Sequence, residues 1–250
     1  MILQDLHVHT DFCDGKNTPE EMVQAAIRLG LERIGLCVHS YTPFDESYCI
    51  KPDRAEEYIR TVAGLKEKYK GEIQVLCGLE LDYDSDMPTD GFDYVIGSVH
   101  YLKNGNSYCP VDEDSETLRQ AAERYYGGDF LALCRAYYGR VARLPLKRTD
   151  MIGHIDLVTK FNRGGVLFDE NSREYLRIAR EAIDALLPYR IPFEINTGAI
   201  SRGYRDIPYP APALLDYILQ KGGKVILSSD AHRAEHLCYD FARWKYAVET

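Results

Sequence analysis

The chain contains no apolar run near the ~20 residues that span a bilayer. Its opening residues, Met1-Ile2-Leu3-Gln4-Asp5-Leu6-His7, lack the basic stretch and apolar core of a secretory signal. Neither a membrane partner nor a leader is expected. Positive charge is also in short supply, with a formal net charge of −9. That disfavours a protein whose task is gripping nucleic acid. It still permits a small anionic ligand, provided that cations held in the site reverse the local sign. There is no CxxC pair, and the seven cysteines (Cys13, Cys37, Cys49, Cys77, Cys109, Cys134 and Cys238) are scattered and odd in number. This argues against a disulfide framework or structural zinc cluster and for a reducing cytoplasm. No low-complexity linker and no internal repeat divides the sequence, so residues 1–250 are expected to form one domain.

What the chain does have is alternation. Short apolar runs at about 2–9, 33–38, 73–82, 93–99, 150–154, 190–196 and 224–229 read as strands. Helical patterns lie between them at about 18–29, 53–69, 115–143, 172–187 and 211–221, with a C-terminal helix near 235–248. Thr18-Pro19-Glu20-Glu21 supplies a hydroxyl cap, a proline in the first turn and a glutamate at the third position, and Gly30 follows the last turn. Strand–helix alternation implies parallel strands joined by crossover helices. Seven such units suggest a distorted barrel rather than a complete eightfold one. The segment 101–148 is the irregular part, an insertion near the face that carries the strand C-terminal ends.

The seven histidines carry the strongest signal. In Asp5-Leu6-His7-Val8-His9 the strand period of two puts His7 and His9 on one face and Leu6 and Val8 on the other. His39, Glu80, His100 and His154 each end an apolar run, and Asp230 and His232 follow the run at 224–229. A lone histidine at a strand end is ordinarily a satisfied polar residue. Six at equivalent ends, on the face where α/β barrels place their active sites, are not independent accidents. Eight nitrogen and oxygen donors exceed the needs of one catalytic ion. A site for two to three divalent transition-metal ions follows, and imidazole mixed with carboxylate suits Zn, Mn or Fe. Clustered ions of this kind fit phosphate ester hydrolysis, in which a metal acidifies a bound water to give the attacking hydroxide and others hold the phosphoryl oxygens. Asp5 either orients one of the imidazoles or is simply polar at a strand start. His236 reads as an ordinary helix residue. Cys13 and Cys37 lie beside proposed ligands, but nothing marks either as an activated thiolate.

The motifs Asp5-Leu6-His7-Val8-His9-Thr10, Gly35-Leu36-Cys37-Val38-His39, Gly78-Leu79-Glu80, Gly97-Ser98-Val99-His100, Gly153-His154-Ile155-Asp156 and Ser229-Asp230-Ala231-His232 resemble the PHP (polymerase and histidinol phosphatase) family, in order and over nearly the whole chain. The resemblance implies a distorted (β/α)₇ barrel with a trinuclear metal site at the C-terminal ends of its strands. It implies one metal on His7, His9, Glu80 and Asp230, a second on Glu80, His100 and His154, and a third on His39 and His232. Many relatives carry a further histidine after the HxH pair; Asp14 takes its place here, as in the histidinol-phosphatase branch. Many also have Asp where this chain has Val38, so no role of that carboxylate transfers. Asn196-Thr197-Gly198-Ala199-Ile200-Ser201-Arg202 is similar to an element of the same branch, which implies phosphate binding by Arg202, with Lys160 or Arg163 as a second cation. Asp230 or His232 would position the water or protonate the leaving oxygen.

The expected activity is therefore that of a phosphoric monoester hydrolase, a histidinol-phosphate phosphatase of histidine biosynthesis acting on a small phosphorylated substrate. Another PHP phosphoesterase activity, on nucleotides, nucleic-acid ends or phosphotyrosine, and a non-catalytic metal-bound scaffold are the alternatives.

Overall fold

The computed structural model describes residues 3–248. Its framework follows in chain order. Strand β1 (Gln4–Val8) leads to helix α1 (Pro19–Arg28), β2 (Arg33–Leu36) to α2 (Ala55–Lys68), and β3 (Gln74–Asp82) directly to β4 (Tyr94–Ser98). A hairpin of β5 (Tyr101–Asn104) and β6 (Ser107–Pro110) follows, then α3 (Ser115–Tyr126), α4 (Phe130–Val141) and the two-residue β7 (Met151–Ile152). Next come α5 (Arg173–Leu186), β8 (Phe193–Asn196), α6 (Gly198–Ser201), α7 (Pro212–Gln220), β9 (Val225–Ser228) and α8 (Phe241–Trp244). Seven strands form one parallel sheet in the order β1-β2-β3-β4-β7-β8-β9. The sheet curls until its ends meet: His9 N donates to Ala231 O at 2.8 Å and Ala231 N to His7 O at 3.1 Å. The fold is a (β/α)₇ barrel, distorted by the missing helix between β3 and β4.

Local chemistry explains the elements. Thr18 and Glu21 form a reciprocal capping box at the start of α1, and Gly30, at φ 74°, turns the chain away after it. The apolar face of α1 buries Met22, Val23 and Ala26 against the outer side of β1 and β2. Burying Met22 and Val23 contributes about 1.5–3 kcal/mol each as an upper bound. A separate cluster of Leu6, Cys37, Ile96 and Met151, on the strands or one residue past them, fills the barrel floor.

Several expectations are corrected. Leu6 and Val8 do not share a face: Leu6 joins the barrel floor, whereas Val8 packs outside with Ile34 and Leu36. The register against β2 slips between Asp5 and Val8, and such an irregularity breaks strict alternation. The helix expected over 115–143 is two helices, because Gly127 (φ 62°) and Gly128 (φ 81°) stop α3 before Asp129 caps α4. The segment 101–148 is thus an ordered hairpin and helix pair. The C-terminal helix shrinks to short turns and α8, because Cys238 (φ 54°) and Asp240 (φ 57°) adopt left-handed backbone; His236 lies in one of those turns.

Candidate metal centre

The C-terminal ends of the barrel strands carry His7, His9, His39, Glu80, His100, His154, Asp230 and His232 to one place. Glu80, fully buried at the end of β3, is the hub. Its Oε2 lies 3.3 Å from His7 Nε2, 3.4 Å from His9 Nε2 and 2.8 Å from His39 Nδ1. Its Oε1 lies 2.8 Å from His154 Nε2 and 3.3 Å from His100 Nε2. Asp230 Oδ1 completes the first group, 3.7 Å from His7 Nε2 and 3.4 Å from His9 Nε2. Asp14, from the loop after β1, reaches His39 Nε2 at 3.5 Å and His232 Nε2 at 3.2 Å. All nine expected ligand positions therefore share one cluster.

The backbone bends to achieve this. Asp230 sits at φ 51°, a left-handed conformation uncommon outside glycine, though Asp tolerates it better than most. Gly198 lets the next turn approach: a Cβ there would fall 2.9 Å from Asp230 Oδ2 and 2.8 Å from Arg202 Nη2.

The electrostatics are those of a cation site. Burial alone would raise the Glu80 carboxyl, but His39, His7 and His100 hold it well below its ordinary range. Asp230 is likewise held down by Arg202 and His7 against the effect of burial. His7, which burial would push down, is held well above its ordinary value by Glu194, Glu80 and Asp230. Burial pushes His232 down to about 4, and His9 adds to the shift. Three buried atoms at the centre, His7 Nε2, His9 Nε2 and Asp14 Oδ1, have no hydrogen-bond partner, and Glu80 Oε2 makes no well-aligned hydrogen bond although His39 Nδ1 stands 2.8 Å away. Buried polar atoms are ordinarily paired. Each of these residues belongs to a group whose ligand atoms lie within 4.8 Å of one another (His9, Asp14, His39 and His232; His7, His9 and Cys37; His39, Glu80 and His100), and such groups fit divalent cations.

Sequence reasoning missed the residues that hold the ligands in place. Glu194, in mid-β8, accepts from His7 Nδ1 and Ser228 Oγ at 2.5 Å each, from His154 N at 2.8 Å and from Asn196 Nδ2 at 3.1 Å. Asp82 faces His100, with Oδ2 at 2.9 Å from its backbone N and 3.2 Å from Nδ1. Ser98 Oγ donates to Glu80 Oε1 at 2.8 Å. A signal existed for Asp82: it stands two residues after Glu80 on one strand, hence on the same face. Asp5 does not orient an imidazole. It accepts from Ser229 N and Oγ and from Cys238 N, tying β1 to the chain after β9.

Of the proposed cations, Arg202 and Lys160 line the cavity of about 250 Å³ over the cluster, and Arg163 does not. Arg163 is exposed and paired with Asp206 at 2.8 Å, on a different cavity. Arg202 Nη2 donates to Asp230 Oδ2 at 2.8 Å, Nε to Gly198 O at 3.1 Å, and Nη1 lies 2.9 Å from His232 Nδ1. Lys160 Nζ donates to Asp112 O at 2.8 Å and Oδ2 at 3.1 Å.

The family model described as "PHP domain" matches residues 5–198. The chain belongs to the PHP family. This PHP chain is 28% identical to the histidinol-phosphatase of Bacillus subtilis, with 95% of this chain and 96% of that protein covered. It is 31% identical to a Deinococcus radiodurans protein named probable histidinol-phosphatase, covering 96% of this chain and 90% of that one. In fold it matches the histidinol phosphate phosphatase of Lactococcus lactis, solved with zinc, L-histidinol and phosphate, at a TM-score of 0.74 and 21% identity over 99% of this chain and 93% of that one. At that identity the match speaks for the PHP barrel alone.

Proposed function

We propose that the protein is a metal-dependent histidinol-phosphate phosphatase, hydrolysing L-histidinol phosphate to L-histidinol and phosphate. The observation that carries this is the convergence of nine imidazole and carboxylate side chains under one small cavity, in a chain that aligns nearly end to end with relatives named histidinol-phosphatase. In this reading His7, His9, Glu80 and Asp230 hold one divalent ion. Glu80, His100 and His154 hold a second, and Asp14, His39 and His232 a third, each of them Zn, Mn or Fe. Bound there, such ions acidify a water and neutralise phosphoryl charge, which is what hydrolysis of a phosphomonoester needs.

The chain's own residues do the rest. Glu194 and Asp82 fix the rings of His7 and His100, so that the opposite nitrogen of each ring faces Glu80. Asp230, kept ionised beside Arg202, serves as a ligand or a base rather than as a proton donor. His232 Nδ1 stands between a donor, Arg202 Nη1 at 2.9 Å, and an acceptor, Asp230 O at 3.0 Å. With the ring proton on Nε2, Nδ1 would accept from Arg202; with Nε2 holding a cation, the proton would sit on Nδ1 and face Asp230 O, leaving Arg202 Nη1 for phosphate. Arg202 would then have three of its five N–H donors free for phosphate, and Lys160 one of three. No thiolate is needed as nucleophile: burial pushes the Cys37 thiol up to about 11.

The cavity of about 250 Å³ is smaller than the roughly 300–1,000 Å³ of sites for drug-sized molecules. That favours a compact monoester over a nucleotide. The seven unpaired cysteines suit a cytoplasmic setting. The test is phosphate release from L-histidinol phosphate, a mononucleotide and an aryl phosphate, by protein stripped with chelator and reloaded with zinc or manganese. Preference for the nucleotide, or no activity in any metal, would overturn the reading.

A further inference from the structure

The cavity over the metal cluster carries charges of both signs. Arg202 stands in the loop after β8 and Asp45 in the loop after β2. Around the ring of strands these lie three steps apart one way, through β9 and β1, and four the other, through β3, β4 and β7. They face each other across the barrel mouth, and both line the cavity. Asp45 is half-buried, and its carboxylate is held entirely by neutral donors. Ser47 N and Oγ donate to Oδ1 at 3.0 and 2.7 Å, and the Tyr101 hydroxyl to Oδ2 at 2.7 Å. These bonds keep the carboxyl below its ordinary range against the effect of burial. Among the described residues no lysine, arginine or histidine pairs with it: Lys51 is taken by Glu46 and Lys160 by Asp112. Glu113, exposed at the same mouth, makes no ion pair among the described residues either. Beside Asp45, the Tyr48 and Tyr101 rings lie nearly parallel with centroids 6.3 Å apart, and Tyr48 meets His39 edge-on at 4.9 Å. Phe44 packs against Tyr101 and Tyr108, which locks the β5–β6 hairpin to the β2 loop and fixes Tyr101.

An uncompensated carboxylate at the mouth of a cavity for a phosphate dianion repels that ligand unless the ligand also carries a positive charge. We propose that Asp45, oriented by Tyr101 and flanked by Glu113, selects phosphomonoesters whose alcohol bears an ammonium group, with Tyr48 and Tyr101 as the ring surface against which the alcohol lies. The proposal rests on the phosphatase reading above and deepens it: Arg202 takes the phosphate end of a zwitterionic substrate, and Asp45 takes the amine end. A carboxylate–ammonium hydrogen bond is of the strong, charge-assisted kind, and an aromatic face adds cation–π attraction.

The test uses the metal-loaded full chain and two substrates, L-histidinol phosphate and its analogue lacking the amine. Wild type is expected to favour the amine by about ten- to hundredfold in kcat/KM, the range set by one charge-assisted hydrogen bond. Asp45→Asn keeps the shape and an acceptor for Ser47, and should abolish most of that preference through KM. Its kcat/KM on the amine-free analogue should rise, because the repulsion of the phosphate by the Asp45 carboxylate is removed, with unchanged metal content. Tyr101→Phe should produce a smaller loss in the same direction. Equal losses on both substrates, or an unchanged preference in Asp45→Asn, would overturn the subsite. Wild type hydrolysing both substrates equally well would overturn it while leaving the phosphatase reading intact. Wild type hydrolysing neither would overturn that reading and the subsite with it.

Discussion

Glu194→Gln tests whether the ligands are held from behind. The Glu194 carboxylate is fully buried and meets four donors, two on each oxygen: His7 Nδ1 and Ser228 Oγ on Oε1, His154 N and Asn196 Nδ2 on Oε2. Glutamine has the same shape but only one oxygen. Whichever way its amide turns, its NH₂ faces one pair of donors, and two hydrogen bonds are lost. The His7 imidazole also loses its nearest negative charge. At about 1–3 kcal/mol for each unsatisfied buried partner, the metal-free protein should lose about 2–6 kcal/mol. For a chain of this size that lowers Tm by roughly 4–24 °C. The loss should reach function through the His7 ring, whose orientation Glu194 sets, and outer partners of this kind are worth about 10–100-fold in metal affinity. The assay is thermal unfolding of the stripped protein, together with zinc titration against a competing chromophoric chelator. A variant with wild-type Tm and zinc affinity within twofold of wild type would refute the argument that Glu194 positions the site.

Glu80→Ala should remove nearly all phosphatase activity and lower bound metal, because both of its oxygens face imidazoles, whereas His236→Ala should stay near wild type; equal activity of the two contradicts the ligand map. Arg202→Ala should cost about 1.5–3 kcal/mol of transition-state stabilisation in kcat/KM, while Arg163→Ala changes it less than twofold; steady-state kinetics on histidinol phosphate decide, and the reverse order would exchange their roles. Metal affinity should rise with pH. Burial disfavours charge on His7 and His100, but Glu194 and Glu80 respectively hold them well above the ordinary histidine value, so the stripped site carries protons at neutral pH that the ligands must shed. Calorimetric titration of zinc in buffers of differing ionisation enthalpy should register proton release, and identical heats in all buffers would contradict it. Protein purified without chelator should hold two to three transition-metal ions per chain by elemental analysis; none bound, with no gain of activity on adding zinc or manganese, would refute the metal assignment.

Which positions gather at the rim of the barrel was legible in the sequence because strand periodicity is local. His7 and His9 are two residues apart, and His39, Glu80, His100, His154 and His232 each stand at or just past the end of an apolar run, so a parallel barrel had to gather them at one rim. The caps of α1 were legible for the same reason: Thr18, Pro19, Glu21 and Gly30 act within one turn of themselves. Whatever depended on partners distant in sequence was not legible. Glu194 and His7 are 187 residues apart, and Asp5 and Ser229 are 224 apart; only closure of the barrel decides that Glu194 holds an imidazole and Asp5 does not. Arg163 and Arg202 look alike as loop cations after strands, yet one pairs with Asp206 outside and the other with Asp230 inside. The slip in β1 that sends Leu6 to the barrel floor reflects pairing with β2, and no pattern within β1 records it. Period and capping are properties of a few neighbouring residues, whereas counter-charges and the facing of a loop are properties of what the folded chain brings alongside.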